Sequence, residues 1–475
     1  MLRRSLPFVL ALTACAASSA DSSDAPAQDP KGSIHLILND PLSYPAPQDA
    51  CEAELCATLV QLIDHAQTSI DFAIYGLRKQ ARVMEALRSA KARGVKVRGV
   101  IDRDVNGHNI YSGTDALVEL VGRVQSDEKV DQKQTRKDGR YDDAREPACE
   151  RPPETSGPVQ CLAYDLGDSC LLASHASREE LEGSEAIMHN KFFVVDGRWV
   201  WTGSTNVSDS CSGGYNANLV TVVDSRKVAA AYTTEFEQMY SGGRFHTLKK
   251  SNGVLRAALG NADVEVMFSP QDSPMRKHVR PLIKDARERI DIAVFFLTHK
   301  HITEDLIEAH KRGVKIRVII DATGATNGYT KHELLRAAGI PVKVENWGGK
   351  MHMKSAVIDG RHVVTGSMNW TSAGEYSNDE NTIIIHSEQH AQQYTEFFEK
   401  IWASIPDRWL EGNPDPESRD SGTSCTDRSD NDFDGMVDEE DPGCSDDPPP
   451  LPALPAWRIV PKGDRLSCEV GMDRD

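Results

Sequence analysis

The chain has 475 residues, long for one domain and sufficient for two domains with substantial cores. Its formal net charge of −18 is concentrated at one end: residues 411–475 hold 18 Asp/Glu against 6 Lys/Arg, or −12, which leaves −6 for everything before. There is no basic block of the kind that binds nucleic acid in bulk, so a polycationic scaffold is excluded.

At the N-terminus Arg3 and Arg4 precede the apolar run LPFVLAL, too short to span a bilayer as a stable anchor, and the segment predicts an export signal. It ends in LTAC (Leu12 to Cys15), which resembles a bacterial lipobox. The resemblance implies a signal peptide over residues 1–15, lipidation of Cys15, and a place in the cell envelope. Residues 16–32 are small, polar and Pro-containing, as in a flexible tether. Export implies an oxidising compartment, so the nine Cys other than Cys15 are expected mainly in disulfides, with one thiol free or paired between chains.

Three pairs of matching segments follow. TSIDFAIYGL (Thr68 to Leu77) matches ERIDIAVFFL (Glu288 to Leu297), each a β-rich run after an amphipathic helical pattern. RGVKVRGVID (Arg93 to Asp102) matches RGVKIRVIID (Arg312 to Asp321), where a helix ends at Gly and an alternating strand begins. MHNKFFVVDGRWVWTGSTN, from Met188, matches MHMKSAVIDGRHVVTGSMN, from Met351, and both read as hairpins turning at Asp-Gly. Asp102 and Asp321 lie 219 positions apart but His189 and His352 only 163, so the first copy carries 56 additional residues, an insertion around 125–185 containing Cys149, Cys161 and Cys170. This order predicts an α/β fold of two similar domains, 33–247 and 262–406, with mixed β-sheets flanked by helices.

The hairpins repeat their polar residues in step. His189, Lys191, Asp196, Gly203, Ser204 and Asn206 align without gaps on His352, Lys354, Asp359, Gly366, Ser367 and Asn369. Residues two apart on a strand share a face, so each half projects an imidazole with an ammonium, and a hydroxyl with an amide. Asp196 and Asp359 begin the turns and read as structural. Two such patches facing each other across a pseudo-twofold interface form a cationic site without a motif carboxylate, which suits a phosphate group. A neutral imidazole can attack phosphorus while a protonated one donates to the leaving oxygen, and two Lys supply the charge, so no catalytic cofactor is expected.

The pattern H-x-K-x(4)-D-x(6)-G-S-x-N, present twice, resembles the signature of the phospholipase D superfamily across residues 33–406. The resemblance implies metal-independent, two-step phosphodiester hydrolysis through a phosphohistidine, at a site between the halves. His189 would be the nucleophile and His352 the general acid. Lys191, Lys354, Asn206 and Asn369, with Ser204 and Ser367 beside them, would surround the phosphoryl oxygens. Members of the superfamily often carry a Glu-Asn pair after Gly-Ser, the acid orienting the His of the opposite half. Glu380 and Asn381 fit that pair, with 14 residues from Ser367 to Asn381; the same spacing from Ser204 reaches Asn218, preceded by Ala217. In that register Glu380 serves His189, and His352 lacks a carboxylate. The expected reaction is hydrolysis of phospholipid head-group esters at a membrane surface by a monomer, since both motifs lie in one chain. An exported endonuclease acting on nucleic acid is the second reading, and a non-catalytic calcium-stabilised surface binding protein the third.

Beyond Glu411 the acidic, Pro-rich composition predicts a disordered tail. Within it Asp430, Asp432, Asp434, Gly435, Asp438 and Asp441 fall at positions 1, 3, 5, 6, 9 and 12 of a calcium-type loop. Cys425 and Cys444 bracket this loop, which resembles a thrombospondin type 3 repeat and implies calcium there, apart from catalysis.

Overall fold

The computed structural model describes residues 27–104, 107–138, 160–163, 170–173, 186–326, 330–432, 435–446, 448, 457–462 and 465–470. Cys15, Cys149 and Asp434, with the expectations attached to them, lie outside these residues.

Seven strands form the first sheet: β1 (Ser33–Asn39), β2 (Ser69–Ile74), β3 (Lys96–Ile101), β4 (Val124–Ser126), β5 (Lys191–Val195), β6 (Trp199–Gly203) and β7 (Asn218–Asp224), in the spatial order β1-β7-β6-β5-β2-β3-β4. The second sheet repeats that order with β8 (Asp263–Ser269), β9 (Arg289–Val294), β10 (Lys315–Ile320), β11 (Val342–Val344), β12 (Lys354–Ile358), β13 (His362–Gly366) and β14 (Glu380–His386), as β8-β14-β13-β12-β9-β10-β11. Leu255–Leu259 and then Ala27–Asp29 extend its β8 edge. In both sheets the β2-type strand runs parallel to the β3-type strand and antiparallel to the hairpin, giving a mixed sheet.

Apolar side chains cover both faces, so the central strands read as near-continuous hydrophobic runs. Along β5, Phe193 and Val195 join Leu59, Val83 and Leu87 in an outer core, while Phe192 and Val194 point the other way. The second half has its own outer core around Ile290, Ile302 and Leu306. A third core lies between the halves and draws on both, with Phe192, Tyr232 and Phe236 packed together with Phe268, Tyr394 and Phe398. Burial of that shared layer removes the apolar inner faces of both sheets from water, and this fuses the halves into one body.

The hairpin turns explain the repeated aspartates. Asp196 and Gly197 have φ of 54° and 57°, and Asp359 and Gly360 have 51° and 60°, the paired left-handed conformations of a tight hairpin turn. The Asp196 carboxylate accepts the backbone N–H groups of Gln67, Thr68 and Ser69 at 2.9, 2.7 and 3.0 Å, and Asp359 accepts those of Arg287, Glu288 and Arg289 at 2.8, 2.8 and 3.0 Å. Each turn is thereby tied to the chain entering the neighbouring strand. Gly203 and Gly366 are required for close approach: a Cβ would lie 2.1 Å from the Leu219 carbonyl oxygen and 2.2 Å from that of Asn381.

Within the segment expected to be a disordered tail, residues 411–432 and 435–446 form short 3-10 turns closed by the Cys425–Cys444 disulfide, with Glu417 buried among them. They dock on both halves: the Tyr215 hydroxyl donates to Asp427, Asn431 Nδ2 donates to the Gly348 carbonyl at 2.7 Å, and Asn346 Nδ2 to that of Asp420 at 2.9 Å. A disulfide and buried hydrogen bonds order a segment too polar to make a core of its own. Cys51 and Cys56 form another disulfide, and Cys211 is a free, buried thiol.

The hydrogen bonds to Asp196 hold its carboxyl below the usual range even though the group is partly exposed. Asp196→Asn is expected to cost about 1–2 kcal/mol at pH 7. A depressed folded pKa contributes stability above the unfolded value of about 4, and that contribution is lost as the pH falls through the folded value. Urea unfolding should therefore show the gap between wild type and variant closing below pH about 4.

Candidate active site

The two motif histidines sit two residues before the first residue of β5 and β12, and their positions are set by pairing between the halves. Met188 bridges Asp379 and Met351 bridges Ala217, both in parallel. The His189 N–H donates to the Asp379 carbonyl and the His352 N–H to the Ala217 carbonyl, each at 3.0 Å. Every motif histidine is thereby placed beside the residue that opens the last core strand of the opposite half. His189 Nδ1 lies 2.8 and 2.9 Å from the two oxygens of Glu380, and His352 Nδ1 lies 3.1 Å from Asn218 Oδ1.

The register expected for the first copy is corrected here. Asn218, not Ala217, occupies the place of Glu380: the Ser204 N–H donates to the Leu219 carbonyl as the Ser367 N–H does to that of Asn381, which makes Leu219 the counterpart of Asn381. The loop from Val207 to Ala217 is one residue longer than its twin from Trp370 to Asp379, and equal counting from the serines misses that residue. Ser204 Oγ donates to Asn218 Oδ1 at 2.8 Å and Ser367 Oγ to Glu380 Oε2 at 2.7 Å, so the motif hydroxyls hold the orienting side chains. Asn381 is engaged with Thr202, Tyr232 and Asn190 within the shared layer.

Lys191 and Lys354 are almost fully buried, and each donates to the carbonyl of its own motif histidine at 2.8 Å. Tyr75 and Phe295, at matching positions after β2 and β9, close the site over these groups. The Tyr75 ring packs edge-on to His189 with centroids 5.0 Å apart, and Phe295 lies 5.3 Å from His352. Among the described residues the Asn206 Oδ1 and Asn369 Oδ1 atoms are buried without a hydrogen-bond partner, while Asn206 Nδ2 donates to the Tyr111 hydroxyl at 3.0 Å.

Burial dominates the electrostatics. It lowers both histidines well below their ordinary value, and the neighbouring ammonium groups of Lys191 and Lys354 lower them further. Burial also brings Lys191 down to about 8, against the pull of Glu380, and Lys354 is pushed well below its usual range by burial and by Lys191. Glu380 is raised to about 8 by burial, with Lys191 opposing. Burial thus favours the neutral form of both imidazoles, with His189 Nδ1 turned to Glu380.

Carboxylates behind the histidines were not singled out from the sequence. Asp102 Oδ1 and Asp127 Oδ2 accept the Met188 N–H at 2.8 and 3.0 Å, and Asp321 Oδ2 accepts the Met351 N–H at 2.8 Å. The available signal was the aspartate closing each RGVK repeat. In the tail, Glu417, Asp430 and Asp432 offer oxygens that all lie within 4.8 Å of one another. Asp438 instead accepts the N–H groups of Asp427 and Arg428, and Asp441 accepts that of Gly443. The calcium-type spacing thus converges only in part, and Glu417 joins it from outside the motif.

An amide facing His352 cannot ionise at all, whereas Glu380 beside His189 can once it loses its proton. Asn218→Asp is expected to raise the pH at which His352 titrates by about 1–3 pH units, read by NMR of labelled histidine, with His189 much less affected.

Comparison with known proteins agrees with this arrangement. Residues 59–240 and 279–402 match the family described as "Cardiolipin synthase, PLD-like domain". The human mitochondrial cardiolipin hydrolase is 33% identical over 131 residues, 28% of this chain and 52% of that protein, so the match spans about half of its length. A phospholipase D of Rickettsia conorii is 33% identical over 136 residues, 29% of this chain and 68% of that protein. Among solved structures, Nuc from Salmonella typhimurium is 29% identical and covers 31% of this chain and 97% of its own, with a TM-score of 0.29. Phosphatidylserine synthase of Haemophilus influenzae shares the fold at 12% identity, covering 80% of this chain and 89% of its own with a TM-score of 0.50. Two PLD-like domains in tandem, with their His-x-Lys hairpins meeting at one interface, place this chain in the phospholipase D superfamily.

Proposed function

We propose that this chain is a phosphodiesterase that hydrolyses phospholipid head-group esters through a covalent phosphohistidine. The observation that carries the reading is the unequal pair of histidines beside two buried lysines: His189 faces a carboxyl group and His352 an amide. His189 Nε2 would attack phosphorus and break the bond to the head-group oxygen. His352 would donate a proton to that oxygen, and the substrate's negative charge would favour the imidazolium it needs. Water, deprotonated by His352, would then displace His189 and leave the phosphate monoester. Lys191 and Lys354 would neutralise the phosphoryl oxygens, with the Asn206 and Asn369 amides beside them.

The lipid substrate is favoured by what surrounds the cleft. Tyr75 and Phe295 cover the histidines, Phe296 adjoins Phe295 with centroids 4.2 Å apart, and Ile110, next to Tyr111, is 53% exposed. The nearby cations Arg78 and Lys79 are both held by Asp209, at 2.7 and 3.3 Å, which leaves less charge to follow a polyanionic strand. Relatives named cardiolipin hydrolase and phospholipase D point the same way. Lipidation at Cys15 would hold the enzyme at an envelope membrane, and both motifs in one chain suit a monomer.

Phosphatidylcholine, phosphatidylethanolamine and cardiolipin vesicles should release head group, and His189→Ala should lower kcat/KM by about 10³-fold or more. Cleavage of single-stranded DNA or RNA without lipid turnover would replace this reading with an exported nuclease.

For the tail we propose a calcium ion held by Glu417, Asp430 and Asp432, supported by the convergence of their oxygens and by the burial that raises Glu417 to about 7. Calcium should raise the melting temperature of wild type but not of Asp430→Asn. An unchanged melting temperature in millimolar calcium would remove the proposal.

A further inference from the structure

Behind the His189 strand lies a buried cluster that none of the steps above uses. His246, in the link between the halves, packs its imidazole among carboxylates from the β4 region and from the approach to β14. We propose that Asp127, Asp131 and His246 form a structural site for a divalent transition-metal ion of the zinc or manganese class.

The separations fit co-ligands. His246 Nε2 lies 3.0 Å from Asp131 Oδ1 and 3.5 Å from Asp127 Oδ2, and one donor atom from each of the three residues falls within 4.8 Å of the others. Two donors at 2.0–2.2 Å from a tetrahedral ion are about 3.3–3.6 Å apart, close to these distances. Both ring nitrogens face carboxylate oxygens, Nε2 that of Asp131 and Nδ1 that of Asp379. The surroundings match a metal-binding histidine as well. Asp379 Oδ2 is 3.1 Å from Nδ1, and its carboxylate is itself fixed by the His246 N–H at 2.7 Å and by Lys249 at 2.8 Å.

The carboxylates around His246 are buried: Asp102, Asp127, Asp131 and Asp379 are each no more than 6% exposed. The site would also organise the reaction centre without entering the chemistry: Asp127 accepts the Met188 N–H, and the Asp379 carbonyl accepts that of His189. The second half has no histidine at the matching place, where Asp321 and Glu345 are joined by Lys350.

The competing occupant is a proton, since an imidazolium at His246 would also face these carboxylates. The full chain, produced without a metal-affinity tag in medium containing zinc and manganese, would be assayed by elemental analysis. About one equivalent of zinc or manganese per chain is expected, falling below about a tenth in His246→Gln and in Asp131→Asn. Stripping with dipicolinate, in an Asp430→Asn background whose tail does not answer to calcium, should lower the melting temperature, and added Zn²⁺ or Mn²⁺, but not Ca²⁺, should restore it. Wild type with less than about a tenth of an equivalent, and a melting temperature indifferent to both ions, would overturn the site. The wild-type measurements decide the matter even if neither variant folds.

Discussion

Two short parallel bridges, Met188 with Asp379 and Met351 with Ala217, are the constraint on which the site depends. Each carries the lead-in to a histidine alongside the lead-in to an orienting side chain from the other half. Neither half is complete by itself: the first provides His189 and Asn218, the second His352 and Glu380, and the contacts cross over. Such bridges are too small to hold two domains together. The shared core around Tyr232, Phe236, Tyr394 and Phe398 supplies the association, and the bridges set its register.

The same crossing makes a symmetric scaffold chemically unsymmetric. A carboxyl group at Glu380 and an amide at Asn218 accept equivalent bonds from Ser367 and Ser204, so geometry is retained while only one of the two can ionise. Burying two lysines beside two imidazoles disfavours every positive charge in the free site. An anionic phosphodiester relieves that repulsion, and the pocket is therefore built for the bound state more than for the empty one. The docked tail adds a further tie, since Tyr215 from the first half and Gly348 from the second both bind it.

Much of this was legible in the residue order. The alternation around Asp-Gly identified the hairpins, because side-chain direction on a strand has period two and the turn needs left-handed residues. The repeated RGVK segments announced a duplicated sheet, and identical strand order in both halves is the outcome. The one-residue excess before Asn218 was not legible, since spacing along the chain does not reveal where a loop bulges. Order in the acidic tail was hidden for a related reason: composition reports the lack of an apolar core, not the disulfide and buried Glu417 that replace it.

By itself, then, the sequence determined which chemical groups exist and how they face locally: two imidazoles, two ammonium groups and two amides, paired by strand periodicity within each hairpin. Only the tertiary structure decided which group meets which. His189 and Glu380 are 191 residues apart, and their contact follows from backbone hydrogen bonding between halves, which no local pattern encodes. His246 shows the same division, an unremarkable residue in a linker until folding surrounds it with carboxylates from both halves.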